Sequence, residues 1–297
     1  MLKILAQSFF AHIEQIFPFL FCSLFCCFAV ERMFFEKMNV KACIYTDVGQ
    51  TRKVNQDAAL IKVANSKNHG RITLIAVCDG MGGLSKGEVA SCKAIRALEL
   101  WFHEELVLML SLFGEELFCA IENSWERLIT KINADIRRYG KHRGISLGTT
   151  LTALLQIGNS YICMNVGDSR IYLAQPGEVA LLTKDQSVVQ DKLDRGIITM
   201  NEAIEDEQKN VLLQCLGTKY APRPDIKRGK FNRSTTVIAC SDGLWRMVEA
   251  EELRQHLCPQ MCVTDEDMLL ECKKLVNTAI RRDEDDNISV AAACMEF

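Results

Sequence analysis

Five aspartates stand at the edges of apolar runs. Asp79 ends "LIAVCD" and Asp242 follows "VIACS", and glycine comes directly after each. Asp286 precedes "NISVAAAC", Asp168 sits in "MNVGDSR", and Asp57 opens "DAALIKV". One Asp-Gly at a strand end is an ordinary turn. Five acids around one core are a different matter. They repel one another and shift upward in pKa unless a cation meets them. Oxygen donors with no competing His-Cys cluster favour hard cations such as magnesium or manganese. The glycines after Asp79 and Asp242 let backbone carbonyls approach such an ion closely. Two ions about 3.5–4 Å apart make a hydrolytic site for phosphoryl groups. That chemistry also calls for a fixed positive charge on the phosphate. Arg52 in "GQTRKVNQDA" is the best placed, because a guanidinium can fork onto two phosphate oxygens. The plainer alternative for Arg52 is an ordinary surface charge.

Alternating strands and helices must position these acids. "KACIYTDVG", "DAALIKVA" and "RITLIAVCD" read as strands, the last two separated by the polar "NSKNHG". Ser85 is a candidate N-cap with Glu88 in capping-box position, opening a helix from about Lys86 toward Leu112. Gly114 breaks the pattern. "EELFCAIENSWERLITKINADIRRY" then repeats apolar residues at three- and four-residue spacing, as a second long helix does. The stretch "GTTLTALLQIGNSYICMNVGDSRIYLAQPGEVALLT" reads as an antiparallel meander with turns at Gly158-Asn159, Gly167-Asp168 and Pro176-Gly177. "DQSVVQDKLDRGIITMNEAIEDEQKN" predicts short surface helices. "STTVIACSDGLWRMV" is a strand ending in Asp-Gly, "DEDMLLECKKLVNTAIRR" an amphipathic helix and "DNISVAAACM" a closing strand. Strands in blocks with helices between them indicate an α+β sandwich. No internal repeat or linker divides the chain after Met38, so residues 38–297 are read as one domain.

The 297 residues carry a net charge of −3, with 48% apolar and 25% charged residues, as in an ordinary globular protein. This balance argues against a nucleic-acid partner, which calls for a basic face. Of 14 cysteines, Cys78, Cys163 and Cys240 lie inside apolar runs and read as reduced core thiols of a cytoplasmic protein. Residues 1–37 differ from the rest. Ile16 to Val30 carries no charge but is shorter than the roughly 20 residues of a spanning helix. Three readings stay open for this leader: a short membrane anchor with Cys22, Cys26 and Cys27 as acylation sites, a partner-binding helix, or a start upstream of the true one at Met38. Membrane association is expected only under the first.

From about Lys41 to Met295 the chain resembles the metal-dependent serine/threonine phosphatases of the protein phosphatase 2C family, in their bacterial form. The matching segments, in order, are "TDVGQTRKVNQDA", "VCDGMGGLSKGEVAS", "GTTLTALL", "VGDSRIYL", "LTKDQSVVQDKLDRGIIT", "LLQCLGT", "CSDGLWRMVEAEEL" and "DNISV". The resemblance implies a four-layer α-β-β-α sandwich, two antiparallel sheets flanked by helix pairs. It implies that Asp79 bridges two Mn²⁺ or Mg²⁺ ions and that the Gly80 carbonyl binds one of them. Asp242 and Asp286 would complete the first ion, with Asp57 behind the ligands. Asp168 would hold a weaker third ion, and Arg52 the substrate phosphate. Water bridging the metals would attack phosphorus directly, with no phosphoenzyme. The segment from about Gln186 to Leu213 resembles a mobile flap beside the site.

This chain departs from the family pattern at several positions. Gln56 stands where glutamate is common, so second-metal binding there is expected to be weak or water-mediated. Leu84 and Gln186 replace common histidines. Met81 replaces a histidine proposed elsewhere as general acid, which leaves the proton donor to the leaving group unassigned. The resemblance implies phosphoprotein substrates, with a cognate serine/threonine kinase or its targets as partners. The alternatives are a pseudophosphatase that binds phosphoproteins without turnover and a hydrolase of small phosphates.

Overall fold

The computed structural model describes residues 39–81 and 86–296. The leader 1–37, Met38 and the Ser85 capping position lie outside the described residues.

Twelve strands and seven helices are present among the described residues. The strands are β1 Asn39–Asp47, β2 Ala58–Ser66, β3 Gly70–Cys78, β4 Gly80–Met81, β5 Gly148–Thr149, β6 Leu151–Ile157, β7 Ser160–Val166, β8 Arg170–Gln175, β9 Glu178–Leu181, β10 Asp225–Lys230, β11 Thr235–Cys240 and β12 Ile288–Glu296. The helices are α1 Gly87–Met109, α2 Gly114–Arg143, α3 Val188–Asp194, α4 Met200–Glu205, α5 Asp242–Trp245, α6 Ala250–Leu257 and α7 Asp265–Arg281.

Two five-stranded antiparallel sheets form the centre, one ordered β1-β12-β11-β8-β9 and the other β10-β7-β6-β3-β2. Alternation along β3 shows why its sequence is an unbroken apolar run. Ile75 and Val77 pack in the inter-sheet core with Leu154, Val237 and Ala291. Leu74, Ala76 and Cys78 point the other way and meet Leu98 and Trp101 of α1 and Trp125 of α2. The same holds for β12. Ala291 and Ala293 face the other sheet, while Val290, Ala292 and Cys294 pack on Leu253 of α6 and Leu275 of α7. Strands buried on both faces lose the polar alternation of a half-exposed sheet. The result is the α-β-β-α sandwich expected from the sequence. All described cysteines are free thiols, with Cys78, Cys163 and Cys240 buried. No helix among the described residues is long and apolar enough to cross a membrane.

Three local expectations are corrected. The run from β6 to β9 is not one meander. β6 pairs with β7 and β8 with β9, but β7 and β8 belong to different sheets. Gly167, at φ 114°, makes the corner, and a Cβ there would lie 2.5 Å from the Thr150 side chain. Strand β10, which pairs with β7, and helix α6 escape the sequence reading altogether. Gly114 opens α2 rather than only ending α1, and α2 runs four residues past Tyr139 to a left-handed cap at Gly144.

β1 and β12 run antiparallel in full register, Asn39 opposite Glu296 at one end and Asp47 opposite Ile288 at the other. The second of these ends carries the acids.

Candidate active site

Each acid is set by the element it terminates. Asp79 follows β3, and its backbone is gripped from the neighbouring strand. The Asp79 amide donates to Thr150 Oγ1 at 2.8 Å, and the Asp79 carbonyl accepts from Thr149 Oγ1 at 2.8 Å and the Thr150 amide at 2.9 Å. Asp242 opens the short helix α5 directly after β11. Asp168 sits in the corner between β7 and β8, where Trp245 Nε1 donates to its carbonyl at 2.9 Å. Asp57, ahead of β2, accepts from Ser241 Oγ at 2.8 Å. Asn55 and Thr46 extend this polar chain to Ser289, with bonds of 2.7 Å from Asn55 Nδ2 to Thr46 Oγ1 and 2.7 Å between the two hydroxyls.

The structure thus brings Asp57, Asp79, Asp168 and Asp242 into one electrostatic group. Burial drives the Asp79 carboxyl well above its ordinary range, and Asp242, Asp57 and Asp168 add to the rise. Burial pushes Asp57 up to about 7, with Asp242 and Asp286 adding to it against hydrogen bonds from Ser289 and Ser241. Asp168 is likewise pushed up to about 7 by burial and by Asp242, against the pull of Arg246. Shifts with these causes mark crowded acids in need of positive charge.

Among the described residues no three His, Cys, Asp or Glu side chains converge as a finished ligand set. The donor chemistry nevertheless fits hard divalent cations. Every acid present offers oxygen only, and Asp242 Oδ1 is buried without a hydrogen-bond partner, an orphan that a buried carboxylate does not normally tolerate.

Asp286 stands at the rim. Its Oδ2 accepts from Arg52 Nη2 at 2.8 Å, and both side chains are partly exposed. The residue expected to hold phosphate therefore touches one expected to hold metal. Asn287 fastens their two loops together. Its Oδ1 accepts from the Gln56 amide at 2.7 Å, and its Nδ2 donates to the Val48 and Val54 carbonyls at 2.9 and 3.2 Å.

Gln56 lies between Gly80 and Gly87. Turned so that its nitrogen donates to the Gly80 carbonyl, its oxygen accepts from the Gly87 amide, both at 3.1 Å. In the opposite orientation the nitrogen donates to Glu88 Oε2 at 3.4 Å. The backbones here are pressed together, because a Cβ on Gly80 would lie 2.3 Å from the Gln56 carbonyl and 2.4 Å from that of Gly87. Only glycine fits.

Gln186, in place of a common histidine, is a staple. Its Oε1 accepts from the Gly167 amide at 3.0 Å and its Nε2 donates to the Arg223 carbonyl at 3.2 Å. It ties the root of the 186–213 segment to the Asp168 corner. None of the described histidines is bonded to an acid of the site. His69 bonds the Leu110 carbonyl at 3.0 Å and His256 bonds Glu271 at 2.5 Å.

Sequence reasoning missed Arg246, whose Nη2 lies 2.5 Å from Asp242 Oδ2 and 3.9 Å from Asp168 Oδ2. The signal was available, because an arginine four residues after an acid faces it across one helical turn. It also missed Trp245, Asn287 and Ser241, which lie inside the quoted motifs and act through backbone and acid contacts that no spacing displays.

Residues 49–277 match the family model described as "Protein phosphatase 2C". The chain belongs to the protein phosphatase 2C family. It is 34% identical over 214 residues to the serine/threonine phosphatase stp of Listeria innocua, covering 71% of this chain and 81% of that one. The solved structure of the serine/threonine phosphatase Stp1 from Staphylococcus aureus superimposes with a TM-score of 0.73 at 28% identity, over 87% of this chain and 96% of that one. The catalytic domain of the serine threonine protein phosphatase PstP, in complex with two manganese ions, matches with a TM-score of 0.69 at 27% identity, over 88% and 100%. The protein phosphatase 2C chain described here is therefore an enzyme of the serine/threonine phosphatase class, and the family is metal-dependent.

Proposed function

We propose that this chain hydrolyses phosphoserine and phosphothreonine in proteins at a dinuclear manganese or magnesium centre. The observation that carries the reading is the buried group of Asp57, Asp79, Asp168 and Asp242, with Asp242 Oδ1 unpartnered. When bound, the ions supply a water acidic enough to act as nucleophile at neutral pH and charge to meet the phosphoryl oxygens.

The chain's own residues do the rest. Asp79, fixed by Thr149 and Thr150, would hold the ions, together with the Gly80 carbonyl, Asp242 and Asp286. Gln56 would offer an amide oxygen, directly or through water. Asp57 orders the Ser241 end of the group from behind. Arg52 binds the substrate phosphate. Its Nη2 is engaged by Asp286, which orients the guanidinium and leaves its other N–H groups for two phosphate oxygens. The 186–213 segment forms the flap beside this mouth. Phosphorylated proteins are the substrates, with a cognate cytoplasmic serine/threonine kinase or its targets as the partner class.

The test is phosphate release from a phosphothreonine peptide by the full chain, titrated with Mn²⁺. Metal-dependent turnover is expected, lost by at least three orders of magnitude in a folded Asp79→Asn variant. Wild-type turnover in that variant would overturn the assignment, and peptide binding without turnover in the wild type would favour a pseudophosphatase.

A further inference from the structure

Asp168 is the acid expected to hold a third, weaker cation, and the charge of Asp242 acts on it from close by. The structure holds something else there. Arg246 Nη2 lies 2.5 Å from Asp242 Oδ2 and 3.9 Å from Asp168 Oδ2. One carboxylate oxygen of each acid thus faces a guanidinium. Asp242 is thereby divided: Oδ2 goes to Arg246, while Oδ1 is buried and without a partner, free for the metal pair.

The arginine is built into this position. It is mostly buried and follows Asp242 by one turn, on α5 and its C-cap. Its neighbour Trp245 donates to the Asp168 carbonyl at 2.9 Å and so anchors the corner that carries Asp168. Trp245 is held in turn by Arg170, whose guanidinium stacks on the indole at 3.5 Å and forks onto Asp185 with bonds of 3.0 and 2.8 Å. Besides Asp168 and Asp242, the carboxylates of Glu284 and Asp79 act on Arg246. A guanidinium stays charged at every accessible pH and needs no water shell of fixed geometry. It therefore supplies one permanent positive charge where an ion would come and go with concentration.

We propose that Arg246 takes the place of a third divalent cation at the Asp168–Asp242 edge, so that this centre closes at two ions. The proposal rests on the dinuclear reading above. Its test is separable from that reading, because it depends on the difference between variants and not on the absolute number of ions.

The experiment is Mn²⁺ binding to the full chain, counted by calorimetry and by electron paramagnetic resonance of the free ion. Wild type is expected to bind two ions. Arg246→Asp, which adds a carboxylate and removes the guanidinium, is expected to bind one more, at least tenfold weaker. Asp168→Asn placed in that background is expected to abolish the gain. Arg246→Lys, which keeps the charge, is expected to bind as wild type does. Arg246→Met also unblocks the Asp168–Asp242 edge and serves if the aspartate variant does not fold, as judged by circular dichroism. Three ions in the wild type, or no gain in both folded variants, would overturn the proposal. Fewer than two ions in the wild type would count against the dinuclear reading alone, while a gain of one in Arg246→Asp would still support the role of Arg246.

Discussion

At the scale of single residues, Gln56 shows what one neutral amide changes beside a group of buried acids. A glutamate here would set one carboxylate oxygen against the Gly80 carbonyl and need a cation between them. Turned toward Gly80, the amide instead donates to that carbonyl at 3.1 Å and accepts from the Gly87 amide at 3.1 Å, so both of its ends are satisfied by backbone alone. Gln56→Glu is therefore expected to cut two ways. The Mn²⁺ concentration for half-maximal activity falls several-fold, and the melting temperature in chelator also falls, since an ionised carboxylate beside a carbonyl costs about 1–3 kcal/mol. An unchanged metal titration together with unchanged melting would refute this account. The grouping of the acids was largely legible, because Asp79, Asp168 and Asp242 end apolar strands and strand ends are visible in sequence. Arg246 carried a signal in its four-residue spacing from Asp242, but a charged residue after a short helical turn reads as surface until its two acidic partners are placed in space.

At the scale of elements, two loops from opposite ends of the chain depend on one side chain. The loop carrying Arg52 follows β1, the loop carrying Asp286 precedes β12, and Asn287 bonds across them three times. Those strands are paired, but pairing stops at Asp47 and Ile288, and the Asn287 bonds take over beyond it. Asn287→Ala leaves the Gln56 amide and two carbonyls without a partner. Loss of about 2–4 kcal/mol of stability is expected from buried polar groups left unsatisfied, together with a rise in KM for phosphopeptide as Arg52 loses its fixed place. Equal KM with lower melting temperature would make Asn287 purely structural. Most elements were legible from apolar periodicity. The split between β7 and β8 was not. A glycine corner that passes a strand to the facing sheet has the same local residues as a hairpin turn, and only the partners of the next strand tell them apart. β10 was hidden because "DIKRGK" is charged, as an edge strand tends to be.

At the scale of the whole molecule, the sandwich collects acids at one end of its two sheets, and their mutual repulsion sets a pH dependence. The Asp57 and Asp168 carboxyls are pushed up to about 7 by burial and by Asp242. A folded-state pKa above the unfolded one stabilises the protein while the group is protonated. The contribution is complete below about pH 4 and lost as pH rises through about 7. Protein held in chelator is expected to melt lower at pH 8 than at pH 6. Mn²⁺ should abolish the difference, because it replaces the proton as the counter-charge. Asp57→Asn in chelator should shrink it. Identical melting at both pH values without metal would contradict the electrostatic picture of the site.

The pairing of β1 with β12 has a practical consequence. Asn39 and Glu296 lie opposite each other at the end of the sheet away from the acids, about 25–30 Å down a nine-residue strand. A bead, a resin or a fused reporter joined directly at Asn39 or at Glu296 leaves the acid-bearing end facing outward, where a bulky protein can reach it. The same attachment through the 186–213 segment would wall it in.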